Sequence, residues 1–494
     1  MVRIVTEYGV FFSFIGKTGE TPPFRLWRLD VTHMLPSLRN GFPPFIASLL
    51  DELHLLIGPI HLVGSAVRNV LQGTPLSNDL NILTVRPLDQ CLEALRENNH
   101  DAVGGGGEKS IFVPLKGWEK PKTIEISKFR HRPAQTATIE EDLLHRDITV
   151  NAMAYAWPNG PLVDPFGGQD DLINGRIRLV NGEETLRGDP LRAVRLYRFS
   201  LQLSAVPNPE DLKYCTHISL DQVPPERIRV ELDRIFSFPL DTPQAHNLLF
   251  SLLDSDLGAA MLPEFKLLRQ IFKPSSTDGT TVWHHTIQTL KSISSSPREE
   301  DISLLDLRWT VVLAGLIFYA KNLRSLQKIE DGANYERAIN QIVALLNRYG
   351  FSRRRQKKIL NILNNLGVDF PFSDRVLKRL LGDAVPIEGL ISLIFHAKHA
   401  IQTTDPVCKA KNRLEYTRTL ERCLSLRRSC VTLRCSDLAI CGGDIRDMVR
   451  RRPGPWLGEL QTWLLNWIGE DYSRNNAESL RKKIQEWIAT QDRM

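Results

Sequence analysis

Apolar residues recur at three- and four-residue spacing in "PFIASLLDELHLLIG", and the run stops at Gly58. That is the pattern of a helix with one buried face, closed by a glycine. "PIHLVG" then reads as a strand, "SAVRNVLQG" as a helix closed by Gly73, and "DLNILTV" as a second strand. "AVGGGGEKSIFVPLKG" and "KTIEISKFR" read as strands separated by mobile loops, with Gly104 to Gly107 free of the restrictions a Cβ imposes. The α/β mixture lasts to about Tyr155. "NGPLVDPFGGQDDLINGRIRLV" reads as a turn-rich connector.

From Asp189 onward the pattern is almost wholly helical, in "DPLRAVRLYRFSLQL", "PPERIRVELDRIF", "VWHHTIQTLKSI", "LDLRWTVVLAGLIFYA" and further runs to the end. "SISSSPREED" near Ser292 reads as a loop between helices. Residues 1 to about 50 are irregular, since "TPPF" and "GFPPF" break any long helix. No internal repeat or long low-complexity tract is present. The expected layout is an N-terminal extension over 1–50, an α/β head over 51–165, a helical neck over 166–240, a helical body over 241–380 and a helical tail over 381–494.

Composition fits this layout. A chain of 494 residues is long enough for two to four domains, because single cores stop growing near about 250–300 residues. It is 42% hydrophobic and 24% charged, with mean hydropathy −0.20. No apolar run reaches the roughly 18–20 residues needed to cross a bilayer; "WTVVLAGLIFYA" from Trp309 has the length of a buried helix. The opening "MVRIVTEYGVFFSFIGK" carries Glu7 in its apolar patch and lacks both a small-residue cleavage site and the Arg/Ser bias of a transit peptide, so a cytoplasmic location is expected. Seven cysteines without a CxxC pair do not form a disulfide framework. Five of them fall late (Cys408, Cys423, Cys430, Cys435, Cys441) and read as buried thiols rather than a zinc site. The net charge of +6 suits a polyanionic partner without requiring one, and "RRRQKK" and "RDMVRRRP" are basic clusters of the kind found on solvated helix faces.

Candidate chemistry begins at "LVGSAVRNVLQGTPLSNDLNILT". Gly64 permits a tight turn whose following helix start offers N–H groups to an anion, with Arg68 one turn on. A glycine turn of this kind occurs in any α/β fold. On the next strand Asp79 and Asn81 are two apart and share a face. Two carboxylates at such positions hold two divalent cations about 3.5–4 Å apart, which aligns attacking and leaving oxygens in phosphoryl transfer.

This stretch resembles the GG-x-VRD and D-x-D motifs of class II tRNA nucleotidyltransferases and bacterial poly(A) polymerases. "EEDLLHRDITVNAMAY", "DPFGGQDDL", "GDPLRAVRLYRF", "ERIRVEL" and "ICGGDIRDMVRRRPGPWLGELQTWLLNWI" are similar to later segments of that family and stand in the family's order. The resemblance implies a nucleotidyltransferase head of the DNA polymerase β type, followed by an all-α neck, body and tail. It implies addition of C and A residues to tRNA or other RNA 3′ ends from CTP and ATP with Mg²⁺. It assigns Gly64, Ser65 and Arg68 to the triphosphate, Asp79 and Asn81 to the metal, Arg146 and Asp147 to the nucleotide, and Asn151 to support of that loop. Glu125, in "TIEISKF", is a further strand carboxylate in reach of the metals.

Asp189 and Arg192 are expected side by side as i and i+3 on one helix. A carboxylate only accepts hydrogen bonds and a guanidinium only donates them. Their base partner must therefore show an amino group beside a ring-nitrogen acceptor, as cytosine and adenine do and uracil and guanine do not. Arg195 and Arg198 continue this stripe, for phosphates or for the helix itself.

Four departures from the family pattern stand out: Ser65 for glycine, Asn69 for the aspartate of VRD, Gly188 for glutamate, and Asn81 for the second metal aspartate. Asn69 removes a carboxylate that would orient Arg68, and Asn81 removes a charge that hard cations favour. In the body, "VWHHTIQTL" and "LRWTVVLAGLIF" look like an HD phosphohydrolase domain with Ala314-Gly315 in place of His-Asp, so His284 and His285 are expected to pack and no hydrolase activity is expected. Three readings stay open: an active nucleotidyltransferase with a weakened metal site, an inactive relative that binds RNA, and a poly(A) polymerase or partial CC- or A-adding enzyme.

Overall fold

The computed structural model describes residues 38–105, 110–129, 138–240, 242–264, 266, 281–293, 302–322, 331–366, 371–383, 385–401, 406–428, 438–449, 454–470 and 472–491. The first 37 residues, Gly106 and Gly107 of "GGGG", the stretch after Ile293, Cys430, Cys435 and the end of "RDMVRRRP" lie outside them. The described residues up to Asn181, with Ala205–Asn208, form one compact unit, and Gly182–Ser204 with the residues from Pro209 onward form another.

In the first unit α1 (Pro44–Ile57) places Ile46, Leu49, Leu50, Leu53 and Ile57 on one buried stripe and ends at Gly58, whose φ of 83° is the left-handed turn only glycine adopts freely. The order continues β1 (Ile60–Val63), α2 (Ser65–Leu71), β2 (Asp79–Thr84), α3 (Leu88–Glu97), β3 (Val103–Gly104), β4 (Ser110–Pro114) and β5 (Thr123–Lys128). Then come α4 (Ile139–Leu144), a 3₁₀ turn at Thr149–Asn151, β6 (Ala154–Ala156), β7 (Leu162–Val163), α5 (Gly168–Ile173) and β8 (Arg176–Ile177). The connector expected to be turn-rich thus carries β7, α5 and β8; their brevity hides them from a periodicity reading. Seven strands form one mixed sheet in the order β3-β4-β5-β2-β1-β6-β7, with β2 and β5 parallel and the other pairs antiparallel.

Alternation sorts the strands' side chains. Leu80, Ile82, Ile111, Val113, Ile124 and Ile126 join the core formed with α1 and α3. The opposite face carries Asp79, Asn81 and Glu125 at its partly open end and Val63, Leu83 and Ala154 in a smaller core with Leu143 of the helix Ile139–Leu144.

The second unit is helical, as the pattern from Asp189 onward predicts: α6 (Gly182–Gly188), α7 (Arg192–Gln202), α8 (Pro209–Thr216), α9 (Pro225–Ser237), α10 (Pro243–Asp254), α11 (Asp256–Met261), α12 (Val282–Ser292) and α13 (Leu304–Asn322), with further helices to Gln491. The last three, Gly442–Val449, Pro455–Glu470 and Ala477–Gln491, close around Ile445, Leu460, Leu464, Leu480 and Ile484. Among the described residues no helix is long and apolar enough to cross a membrane.

Polar braces join these helices. Asp233 of α9 accepts from Trp309 Nε1 at 2.7 Å, from Arg355 Nη1 at 2.9 Å and from Arg229, and Arg355 also bonds Asp306 at 2.6 Å. Arg308 is fully buried. Its guanidinium donates to the carbonyls of Phe236 and Phe238 at 2.6 Å, and to that of Ile293 at 3.0 and 3.3 Å. These are the last carbonyls of α9 and α12, where helix dipoles favour a cation. Burial pushes the Arg308 guanidinium down to about 10, still charged at neutral pH. Replacing it strands three buried acceptors, each costing about 1–3 kcal/mol. Arg308→Met is therefore expected to lower the apparent melting temperature strongly, and Arg308→Lys, with fewer donors, to fall between the two in a thermal melt.

Candidate nucleotidyltransferase site

Gly64 joins β1 to α2 at φ 71° and ψ −132°, a conformation closed to residues with a Cβ. A Cβ there would stand 3.2 Å from Arg146 Nη1, 3.9 Å from the Asn151 carbonyl and 4.0 Å from the Asn81 amide. The turn, Asn81, Arg146 and Asn151 therefore converge on one spot. The register explains how Asn81 arrives there: it pairs with Val63 of β1 on one side and Glu125 of β5 on the other, and Asp79 pairs with Thr123. Asp79 is exposed and Asn81 half-buried, both at the end of the sheet where β1 gives way to the glycine turn.

Arg68 is placed differently from a phosphate ligand. It is buried, its Nε and Nη2 donating to Asn69 Oδ1 at 3.2 and 2.9 Å and its Nη1 donating to Asn151 Oδ1. The amide oxygen of Asn69 thus still orients Arg68, although the carboxylate expected there is missing. Its Nδ2 donates in turn to the Pro75 carbonyl at 2.9 Å and Ser77 Oγ at 3.3 Å, in the segment leading into Asp79. An aspartate has no proton to give to that carbonyl.

Arg146 follows α4, its Nη2 lying 3.4 Å from the fully buried Asp142 carboxylate. Asp147 is buried and its Oδ1 accepts from the Ile148 N–H at 2.9 Å. The loop bearing these residues rests on α5: Thr149 Oγ1 donates to Asp171 at 2.6 Å, Arg178 Nε donates to the same carboxylate at 2.7 Å, and a Cβ on Gly168 would meet the Thr149 carbonyl at 2.4 Å. Asp164 fixes the start of α5 by accepting from the Gly168 and Gln169 N–H groups at 2.7 and 2.9 Å. The "DPFGG" segment therefore supports the 149–151 turn. Glu125 is half-buried, its Oε1 accepting from Ser110 Oγ at 2.9 Å, a partner that sequence reading missed because only the strand register brings β4 beside β5.

In the helical unit Asp189 and Arg192 do not share a helix. Asp189 lies in the break between α6 and α7, where Pro190 follows it, and its carboxylate accepts from the Leu191 N–H at 3.3 Å in the manner of a cap. Its other oxygen pairs with Arg227 of "ERIRVEL" at 2.8 Å, while Arg192 Nη1 donates to the Thr185 carbonyl at 3.1 Å. The two stay close because the Arg192 N–H bonds the Asp189 carbonyl at 3.0 Å. Arg198 pairs at 2.6 Å with the buried Glu231, which Arg234 and Arg195 also approach, and Arg198 stacks on Phe199 at 3.8 Å. These two arginines serve the helix interior.

His284 bonds Thr281 Oγ1 at 2.9 Å and lies against Phe250, His285 is buried, and Ala314 is packed inside α13. Among the described residues no three His, Cys, Asp or Glu side chains gather into a metal-binding group. Cys91, Cys215 and Cys423 are buried thiols, whereas Cys441, expected to be buried, is exposed at the start of the helix Gly442–Val449.

Residues 60–178 match the model of the poly(A) polymerase head domain. The multifunctional CCA protein of Vibrio parahaemolyticus is 30% identical over 246 residues, 47% of this chain and 56% of that protein. That of Chromobacterium violaceum is 34% identical over 155 residues, 31% of this chain and 37% of that protein. The chain spans about half the length of the curated relatives it matches. The CCA-adding enzyme of Bacillus stearothermophilus, solved in complex with CTP, superposes with a TM-score of 0.62 at 20% identity over 92% of this chain and 100% of that one. The chain is thus similar to poly(A) polymerases over its head and to multifunctional CCA proteins over about half of their length, and it shares the fold of CCA-adding enzymes. That of Thermotoga maritima, solved with tRNA, gives a TM-score of 0.53 at 19% identity over 91% of this chain and 97% of that one. The poly(A) polymerase head match thus stands beside a helical remainder with the fold of the CCA-adding structures.

Two variants probe the head. Gly64→Ala forces a side chain into left-handed backbone beside Arg146, at a cost of about 1–3 kcal/mol. It is expected to lower the melting temperature and weaken nucleotide binding by calorimetry. Asn69→Ala removes the acceptor of a buried guanidinium and is expected to cost about 2–3 kcal/mol in denaturant unfolding.

Proposed function

We propose that the chain is a template-independent RNA 3′-end nucleotidyltransferase that adds C and A residues to tRNA in the cytoplasm. The observation that carries this reading is the convergence of Asn81, the Gly64 turn and Arg146, with Asp79 two residues before Asn81 on the same strand, in a segment that matches the poly(A) polymerase head domain. CTP, ATP and tRNA are carried over from the family's solved complexes.

Within the head, the Gly64–Ser65 turn would take the triphosphate, and Arg146 beside it would meet its charge. Arg68 and Asn151 act by holding that turn and loop in place, and the buried Asp147 fixes the loop's backbone beside them. The donor set fits Mg²⁺, which takes one or two protein carboxylates and completes its shell with phosphates and water. Asp79 and the Asn81 amide oxygen would hold it, and when bound it supplies charge neutralisation to the triphosphate. Base choice falls to Asp189 and Arg192 by the acceptor–donor argument, with Arg192 anchored by Thr185 and Asp189 steadied by Arg227. A lost metal carboxylate costs on the order of 10²–10⁴ in rate, about 3–5 kcal/mol. Asn81 for this reason favours a second reading, an inactive relative that keeps RNA binding.

Incubation with tRNA lacking its terminal CCA, Mg²⁺ and labelled CTP or ATP tests both. Slow incorporation abolished by Asp79→Ala and raised about 10²–10⁴-fold by Asn81→Asp is expected. No incorporation by the native chain but activity in Asn81→Asp would establish the inactive relative. A runs without limit would indicate a poly(A) polymerase, and equal use of UTP and GTP would refute the Asp189–Arg192 template.

A further inference from the structure

Glu125 stands directly across the parallel ladder from Asn81 and on the same face. Its position alone would let it replace the missing aspartate. Its carboxylate is engaged elsewhere. Ser110 Oγ donates to Glu125 Oε1 at 2.9 Å, and Ser110 belongs to β4, on the side of β5 away from β2. Ser110 has a single hydroxyl proton, so Ser127 Oγ, 2.9 Å from it, is the donor of the second bond. The three side chains form a hydrogen-bonded chain across the β4–β5 pair that anchors Glu125 Oε1 from the side away from β2. Among the described residues Asp79 remains as the carboxylate at the open end of β2, with a neutral amide two residues on. A single carboxylate is a poor resting ligand set for a hard cation, which a bound triphosphate would complete.

We propose that the head takes one divalent cation, only together with its nucleotide, and that Ser110 and Ser127 are positioning residues that keep Glu125 out of the cation's reach. The proposal rests on the nucleotidyltransferase reading above. It goes further in fixing the number of cations and in giving the two serines a role.

The full-length chain is titrated with Mn²⁺, followed by electron paramagnetic resonance, with and without a non-hydrolysable CTP analogue. Expected are no tightly held Mn²⁺ without the analogue and one per chain with it. Asn81→Asp should raise the count to two, Glu125→Gln should leave it at one, and Ser110→Ala, which releases Glu125 toward β2, should admit a second cation that Ser110→Thr does not. Two cations on the native chain would overturn the proposal while leaving the nucleotidyltransferase reading intact. A count of one in Ser110→Ala would overturn the role given to the serines. No analogue-dependent uptake by either the native chain or Asn81→Asp, both folded by circular dichroism, would overturn the nucleotidyltransferase reading itself.

Discussion

The head is organised around a guanidinium placed where water does not reach it. Arg68 ties α2 to the 149–151 turn through Asn151 and is itself oriented by the neighbouring Asn69. Gly64 depends on the same arrangement: its carbonyl begins α2 by accepting from the Arg68 N–H, and the space above it is bounded by Arg146 and Asn151. A buried charge tolerates little displacement, because each lost partner leaves it unsolvated. The glycine turn, the loop after α4 and the start of β2 are consequently held in one frame.

The second unit uses the same economy with other residues. Asp233 gathers two arginines and a tryptophan from three helices, and Glu231 gathers Arg198 and Arg234. Arg308 needs no carboxylate, since helix-end carbonyls accept its protons. In the segment that resembles a phosphohydrolase, α13 buries Ala314, His284 of α12 lies against Phe250 and His285 is buried, in line with the packing role expected of the two histidines.

Most of the head was legible because its signals are local. Gly58 and Gly73 closed helices where expected, and the alternation of Leu80 and Ile82 with Asp79 and Asn81 placed the polar pair on one face. The order of motifs carried the resemblance to nucleotidyltransferases. What escaped was non-local. No spacing reveals that Ser110 of β4 would bond Glu125 of β5, since that needs the register of a hairpin. Asp189 and Arg192 have helical spacing, yet Pro190 lacks the N–H a continuing helix would use, so the chain breaks there and Asp189 pairs with Arg227, 38 residues on. Asn69 read as a loss because only the carboxylate was counted; its amide both accepts and donates, and the donor half meets the Pro75 carbonyl.

That last exchange has a consequence for the conditions the head can endure. The two side chains seen to hold Arg68, Asn69 and Asn151, are amides and have no proton equilibrium in the acid range. A frame built from aspartates would loosen as they protonate, whereas this one presents the same acceptors to Arg68 from neutral pH into acid. The substitution that lowers the head's negative charge also leaves two of Arg68's acceptors with no proton to gain, an acid-independent pair set beside the carboxylates Asp142 and Asp171 that hold Arg146 and the 149–151 turn.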